Sequence, residues 1–245
     1  MTEKLQYGWE WNQREAVFSV DLRYWELLPS LAYPYLITVV CEPLDSEAKT
    51  FTLREQRRVE ELRRTLEELL KDHAVSVGAV SFSDLVRFYY YAADQTLMSD
   101  VITVCRNVTR LRVHCGCEQE SRYTTYYRLL FPDDAKLQSI ENAAYIESVR
   151  EQDGDLTLVR RIRLNMAFPT EEACDAFLPT IPLAGFTTGK RKSVSHPTHP
   201  YRVELLGFST LQLHDLNRCT TRAIHAALPF DGVLDDLEAE FIPRT

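Results

Sequence analysis

The sequence predicts an α+β protein in two domains, each with a mostly antiparallel sheet and helices on one face. Three observations carry that expectation. Short runs rich in β-branched and aromatic residues recur along the chain, and a few amphipathic helices stand between them. The polar stretch Gln152-Asp153-Gly154-Asp155 separates two organised blocks, which sets the domains at 1–149 and 150–245. A length of 245 residues accommodates two domains of ordinary size.

In the first block, two short strands are expected between Leu5 and Leu22. The run Leu36–Cys41 is nearly all apolar and β-branched, so it reads as a buried strand. Thr52 and Glu55 form a capping box. Behind it Val59, Leu62, Leu66, Leu69 and Leu70 share one helical face over residues 52–70. Strands at Val75–Phe82 and Leu85–Tyr91 follow, then a helix at Gln95–Arg106 and a strand from Leu111. The aromatic segment Tyr123–Phe131 stops at Pro132. Asp133 or Asp134 caps a helix expected to turn Leu137, Ile140 and Ala144 inward.

In the second block, Leu156–Met166 reads as a strand, and Thr170 caps a short helix that ends by Gly185. Strands at Phe186–Val194 and Tyr201–Phe208 follow, then a helix opened by a Ser209/Gln212 capping box. A last strand is available at Glu238–Ile242. The order β-α-β-β-α is the ferredoxin-like pattern.

Composition narrows the function classes. A net charge of −8 argues against a general nucleic-acid grip, which needs a basic face. No apolar run is long enough to span a membrane, and the N-terminal residues lack an apolar signal core. A cytoplasmic location with reduced cysteines is therefore expected. Gly-x-Ser-x-Gly, Walker, Gly-x-Gly-x-x-Gly and His-Glu-x-x-His motifs are absent, so no catalytic residue, metal ligand or cofactor is assigned.

Several clusters warrant comparison. His114-Cys115-Gly116-Cys117 suggests metal or thiol chemistry. Alternation, however, puts Leu111, Val113, Cys115 and Cys117 on one strand face, as small core residues. His196 and His199 flank prolines in a stiff loop. Arg160, Arg161 and Arg163 form a basic run, in which Arg161 and Arg163 share a strand side. They would merge with Lys190, Arg191 and Lys192 into a cationic face if the two strands were neighbours; otherwise they pair across the sheet, for instance with Glu204. Asp231, Asp235 and Asp236 belong to an acidic tail that would suit a basic partner. These eight residues are the candidate partner-binding set.

The Gly154-Asp155 hinge, the strand closing on Phe168, Gly185-Phe186 and Phe230-Asp231-Gly232 resemble the RraB family, protein regulators of the endoribonuclease RNase E. Val233 and Leu234 stand where that family has Trp and Glu. The first block is similar to domain of unknown function 695, on the residues 127–132, the capped helix at 52–70 and Asn142. The resemblance implies a non-enzymatic bacterial regulator that binds a protein partner, an endoribonuclease, without gripping nucleic acid directly. Two alternatives stay open. One is an immunity-type protein that neutralises a basic toxin. The other is a metal-assisted hydrolase using His114, Cys115 and Cys117.

Overall fold

The computed structural model describes residues 4–108 and 110–244. They divide into two compact units, Met1–Pro132 and Asp133–Thr245. Both sheets are antiparallel, one of six strands and one of four, and among the described residues there are six α-helices.

In the first unit the strands are β1 (Lys4–Trp11), β2 (Arg14–Asp21), β3 (Tyr35–Pro43), β4 (Ala74–Ser81), β5 (Val86–Ala92) and β6 (Leu111–Gln119). They lie side by side as β1-β2-β4-β5-β3-β6. The helices are α1 (Tyr24–Leu27), α2 (Leu53–Leu70) and α3 (Met98–Arg106). Helix α2 starts where the capping box predicts. Thr52 Oγ1 accepts from the Glu55 amide at 3.3 Å, and Glu55 Oε2 accepts from the Thr52 amide at 2.8 Å. Glu55 Oε1 also accepts from the Leu44 amide at 3.0 Å, tying α2 to the chain leaving β3. These bonds, that from Leu44 foremost, hold the Glu55 carboxyl below its ordinary range.

Val59, Leu62, Leu66 and Leu70 of α2 bury against Ile37, Val39, Phe88 and Tyr90 of the sheet, together with Val101 and Cys105 of α3. The expected alternation in β6 is present: Leu111, Val113, Cys115 and Cys117 all pack on this side.

The other side of this sheet is not bare, as a one-sided sheet would leave it. Residues 125–130 wind into a single π-turn, and tyrosine hydroxyls pin the surrounding chain. Tyr7 donates to the Leu130 carbonyl at 2.8 Å, and Tyr126 to the Asp21 carbonyl at 2.8 Å. Tyr127 donates to the Trp25 carbonyl at 2.9 Å. Glu120 accepts from the Tyr91 hydroxyl and, at 3.1 Å, from the Thr125 amide at the start of the turn. With both faces covered here, Tyr89, Tyr90 and Tyr91 are all buried.

The second unit comprises α4 (Asp134–Glu151), β7 (Arg160–Phe168), α5 (Glu171–Phe177), β8 (Thr187–Ser193), β9 (Tyr201–Ser209), α6 (Leu213–Ala227) and β10 (Val233–Ala239). Its sheet runs β10-β7-β9-β8. Ile162, Leu164, Met166, Val203 and Leu205 face Phe177, Leu216, Cys219, Ala223 and Ala227 across the core. Among the described residues the opposite face of the sheet carries no helix of this unit.

Four local expectations change. First, α4 belongs with the second unit, so the units divide at Pro132 and not at residue 150. It packs on α6 through amides: Asn142 Nδ2 donates to Asn217 Oδ1 and Thr220 Oγ1, both at 2.9 Å, and Gln138 Nε2 donates to Asn142 Oδ1 at 3.1 Å. Leu137 and Ala144 consequently face outward, while Gln138, Asn142, Ile146 and Val149 are buried.

Second, the Gly154-Asp155 hinge is folded rather than a linker. Gly154 bridges Pro243, and the Asp155 amide donates to the Ile242 carbonyl at 2.8 Å. The Asp155 carboxylate caps the Thr157 amide at 2.7 Å, which lowers its pKa and delays β7 to Arg160. Third, Arg160 is buried rather than part of a cationic face. Its guanidinium donates to the Asp155, Leu158 and Glu240 carbonyls.

Fourth, the Ser209/Gln212 box does not form. Gln212 is the N-cap without a side-chain bond, and Thr210 Oγ1 instead accepts from the Gln212 amide at 3.2 Å and donates to Asp215 at 2.6 Å.

Candidate protein-docking surface

Strand pairing decides which expected site residues can act together. Strand β9 lies between β7 and β8, so Arg161 and Arg163 are one full strand removed from Lys190, Arg191 and Lys192. Glu204 of β9 fills the gap. Arg163 Nε reaches Glu204 at 3.0 Å and its Nη1 reaches Glu238 of β10 at 2.7 Å. The cation is thus held between two acids on three adjacent strands, and the continuous cationic face does not form. Arg191 pairs with Val203, whose side chain points into the core, and so it turns to the helix side and meets Asp175 of α5 at 2.5 Å. Lys190 and Lys192 stay exposed on the β8 edge, beside the bulge between Thr188 and Arg191.

The acidic tail is a strand. β10 covers Val233–Ala239, ahead of the expected Glu238–Ile242, and pairs with β7 through a bulge at Asp235. Asp235 meets Arg202 at 2.9 Å, and Asp236 accepts from Asn165 at 3.4 Å. Asp231 sits in the left-handed region at φ 53, and its carbonyl lies 3.1 Å from His199 Nε2. The acids therefore mostly serve the fold's own pairing.

His196 and His199 are joined by their own loop: His196 Nδ1 accepts from the His199 amide at 3.0 Å, and the rings stand 6.2 Å apart. His114 pairs with Val40 in register and is exposed, on the face opposite Cys115 and Cys117. These three side chains diverge, so they cannot ligate one ion. Among the described residues no group of three His, Cys, Asp or Glu side chains converges as metal ligands.

What remains available on the outer face of the second sheet is Arg161, exposed and without an ion pair among the described residues, and directly across from it Phe208, 69% exposed. Val159, just before β7, is 66% exposed. Phe208 was readable from the sequence. Along β9, Val203 and Leu205 define the core side, so Phe208 falls with Arg202 and Glu204 on the solvent side. An aromatic ring on a polar face is unusual enough to mark a contact surface.

No family model matches the chain, and no curated protein matches it. Among solved structures, an unknown protein from Galdieria sulphuraria is similar over 85% of this chain and 98% of its own, at 9% identity and a TM-score of 0.22. No helix of the described residues is long and apolar enough to cross a membrane.

Proposed function

We propose that the chain is a non-catalytic protein-binding regulator whose second unit is ferredoxin-like and docks its partner on the uncovered sheet face at Phe208 and Arg161. The carrying observation is that face itself: a solvent-exposed aromatic ring beside a guanidinium that has no ion pair among the described residues, on a sheet whose other side holds the core. The strand order, with the fourth and third strands of the β-α-β-β-α-β run flanking the first, supports the ferredoxin-like reading.

An endoribonuclease is the partner that the RraB resemblance implies. The residues behind that resemblance have structural work to do. A Cβ at Gly232 would lie 2.3 Å from Phe168, so two of the quoted motifs meet in the core, and Gly185 turns the chain at φ 82. They support likeness of fold, while the docking residues lie elsewhere. Asn142, quoted for the first-block resemblance, stands in α4 of the second unit.

The test is direct binding of the full chain to the purified host endoribonuclease by calorimetry, with a Phe208→Ser/Arg161→Glu double variant alongside. The reading expects the variant to bind at least about tenfold more weakly with its melting temperature unchanged, because both groups are exposed. Absence of binding by the unaltered chain removes the ribonuclease as partner, and equal binding by the variant removes this face.

A further inference from the structure

We propose that the uncovered part of the six-stranded sheet in the first unit binds an anionic group, a carboxylate or a phosphate, at Arg87. The covering layer of this face is pinned around Leu130, Glu120 and Asp21, as described above. Arg87, Thr38, Val40 and His114 lie on the same face beyond it. Register fixes this: Val40 pairs with Arg87 on one side and His114 on the other, and Thr38 pairs with Tyr89 and Gly116.

Three observations single out Arg87. The nearby arginines have carboxylates: Arg14 meets Asp84, and Arg112 meets Glu42 at 3.2 Å. Among the described residues Arg87 has none; it lies over the Trp11 ring, 5.5 Å from the centroid. Glu42, on the same face, is already shared between Arg112 and His114, the latter at 3.9 Å.

Second, Arg87 Nε and the Tyr89 hydroxyl are both buried and without a hydrogen-bond partner, and both are donors on one strand face two residues apart. Tyr89 is 3% exposed. The Tyr89 oxygen can accept from the neighbouring guanidinium, which offsets part of the rise that burial gives its pKa, but the phenol proton and Arg87 Nε still lack a partner, and leaving buried donors unpaired is unfavourable.

Third, the same sheet face is open two strands from Arg87, on β6. A Cβ built on Gly116 meets no atom within 4 Å, so the sheet surface beside Thr38 is open. The fork of Arg87 at the surface suits the two oxygens of a carboxylate or phosphate, with Trp11 and Val40 as apolar flanks. The full ligand is thus a small anion-bearing molecule lying on the sheet. This inference is independent of the docking surface of the second unit.

Phosphate and acetate are titrated separately into the full chain at constant ionic strength, followed by amide and indole NMR shifts. Saturable shifts of the Trp11 indole and the Thr38, Arg87 and Gly116 amides are expected with at least one anion, and the arm that saturates identifies the chemistry. Arg87→Gln should weaken that binding by at least about tenfold, the equivalent of one charge-assisted hydrogen bond, while Arg161→Gln leaves it intact. Should Arg87→Gln unfold, Tyr89→Phe provides the second variant, expected to bind several-fold more weakly in a folded chain. Absence of saturable shifts for both anions overturns the proposal. So does an Arg87→Gln variant that binds as tightly as the unaltered chain.

Discussion

The Tyr145 hydroxyl accepts the Ala239 amide at 3.0 Å, so a side chain of α4 occupies a ladder position that no strand fills. β10 is an edge strand, and an edge with bare amides is a template for pairing with another chain. Tyr145→Phe should lower stability by about 1 kcal/mol, measured by denaturant unfolding, and should speed hydrogen exchange at Ala239. Unchanged exchange there would show that the bond does not protect the edge.

Asn142 is the most consequential polar residue in the second unit, because its amide serves Gln138, Asn217 and Thr220 at once. Asn142→Ala leaves those partners unsatisfied next to α6 and should destabilise by about 1–3 kcal/mol. A chemical melt of the full chain checks this. A loss below about 0.5 kcal/mol would mean that water replaces the amide.

The ladder Glu238–Arg163–Glu204 lies on the exposed face, with the Arg163 side chain 45% accessible. Arg163→Gln should therefore change stability by less than about 1 kcal/mol, and the change should shrink in high salt. A salt-independent loss of several kcal/mol would contradict an exposed pairing role.

Glu55 links acidity to folding. Its folded pKa is depressed by the Leu44 and Thr52 bonds, so its contribution is complete above the ordinary carboxylate range and disappears as pH falls through the folded value. Glu55→Gln should cost about 1 kcal/mol at neutral pH, the usual worth of a helix cap, and the gap to the unaltered chain should close in acid. Melting curves from pH 7 down to pH 3 read both.

The thiols of Cys41 and Cys105 are pushed up to about 12, by burial first and, for Cys105, by the neighbouring Cys115. Little thiolate exists near neutrality, so aromatic disulfide reagents at pH 8 should label these two only after denaturation. Rapid labelling of either in the native chain, located by peptide mapping, would refute the burial.

Much of this architecture was legible. The capping box at Thr52 and Glu55 announced α2, and alternation in residues 111–117 oriented β6 with its cysteines inward. What misled was polar burial. In α4 the apolar spacing of Leu137, Ile140 and Ala144 suggested one face, whereas amides of Gln138 and Asn142 supply the buried one. Arg160 likewise looked like one of a basic run, yet three backbone carbonyls neutralise its donors in the interior. Pairing of this kind depends on residues as distant as Glu240, which local patterns do not reveal.

Sheet order was the larger omission for the site. Lys190–Lys192 and Arg161–Arg163 could merge only as neighbours, and β9 separates them. Phe208 was readable from the alternation of its own strand once that strand's core side was known.

Strand β7 pairs with β9 on one side and with β10 on the other, and β10 is made some 70 residues later, as the register Arg163↔Glu238 records. During synthesis one whole flank of β7 therefore stays unzipped until Val233–Ala239 have been translated. At ribosomal speeds of roughly 5–20 residues per second that interval lasts several seconds, far longer than a hairpin needs to form. The second unit closes late, and a nascent chain stalled before Val233 leaves that flank of β7 open to pairing with a wrong neighbour.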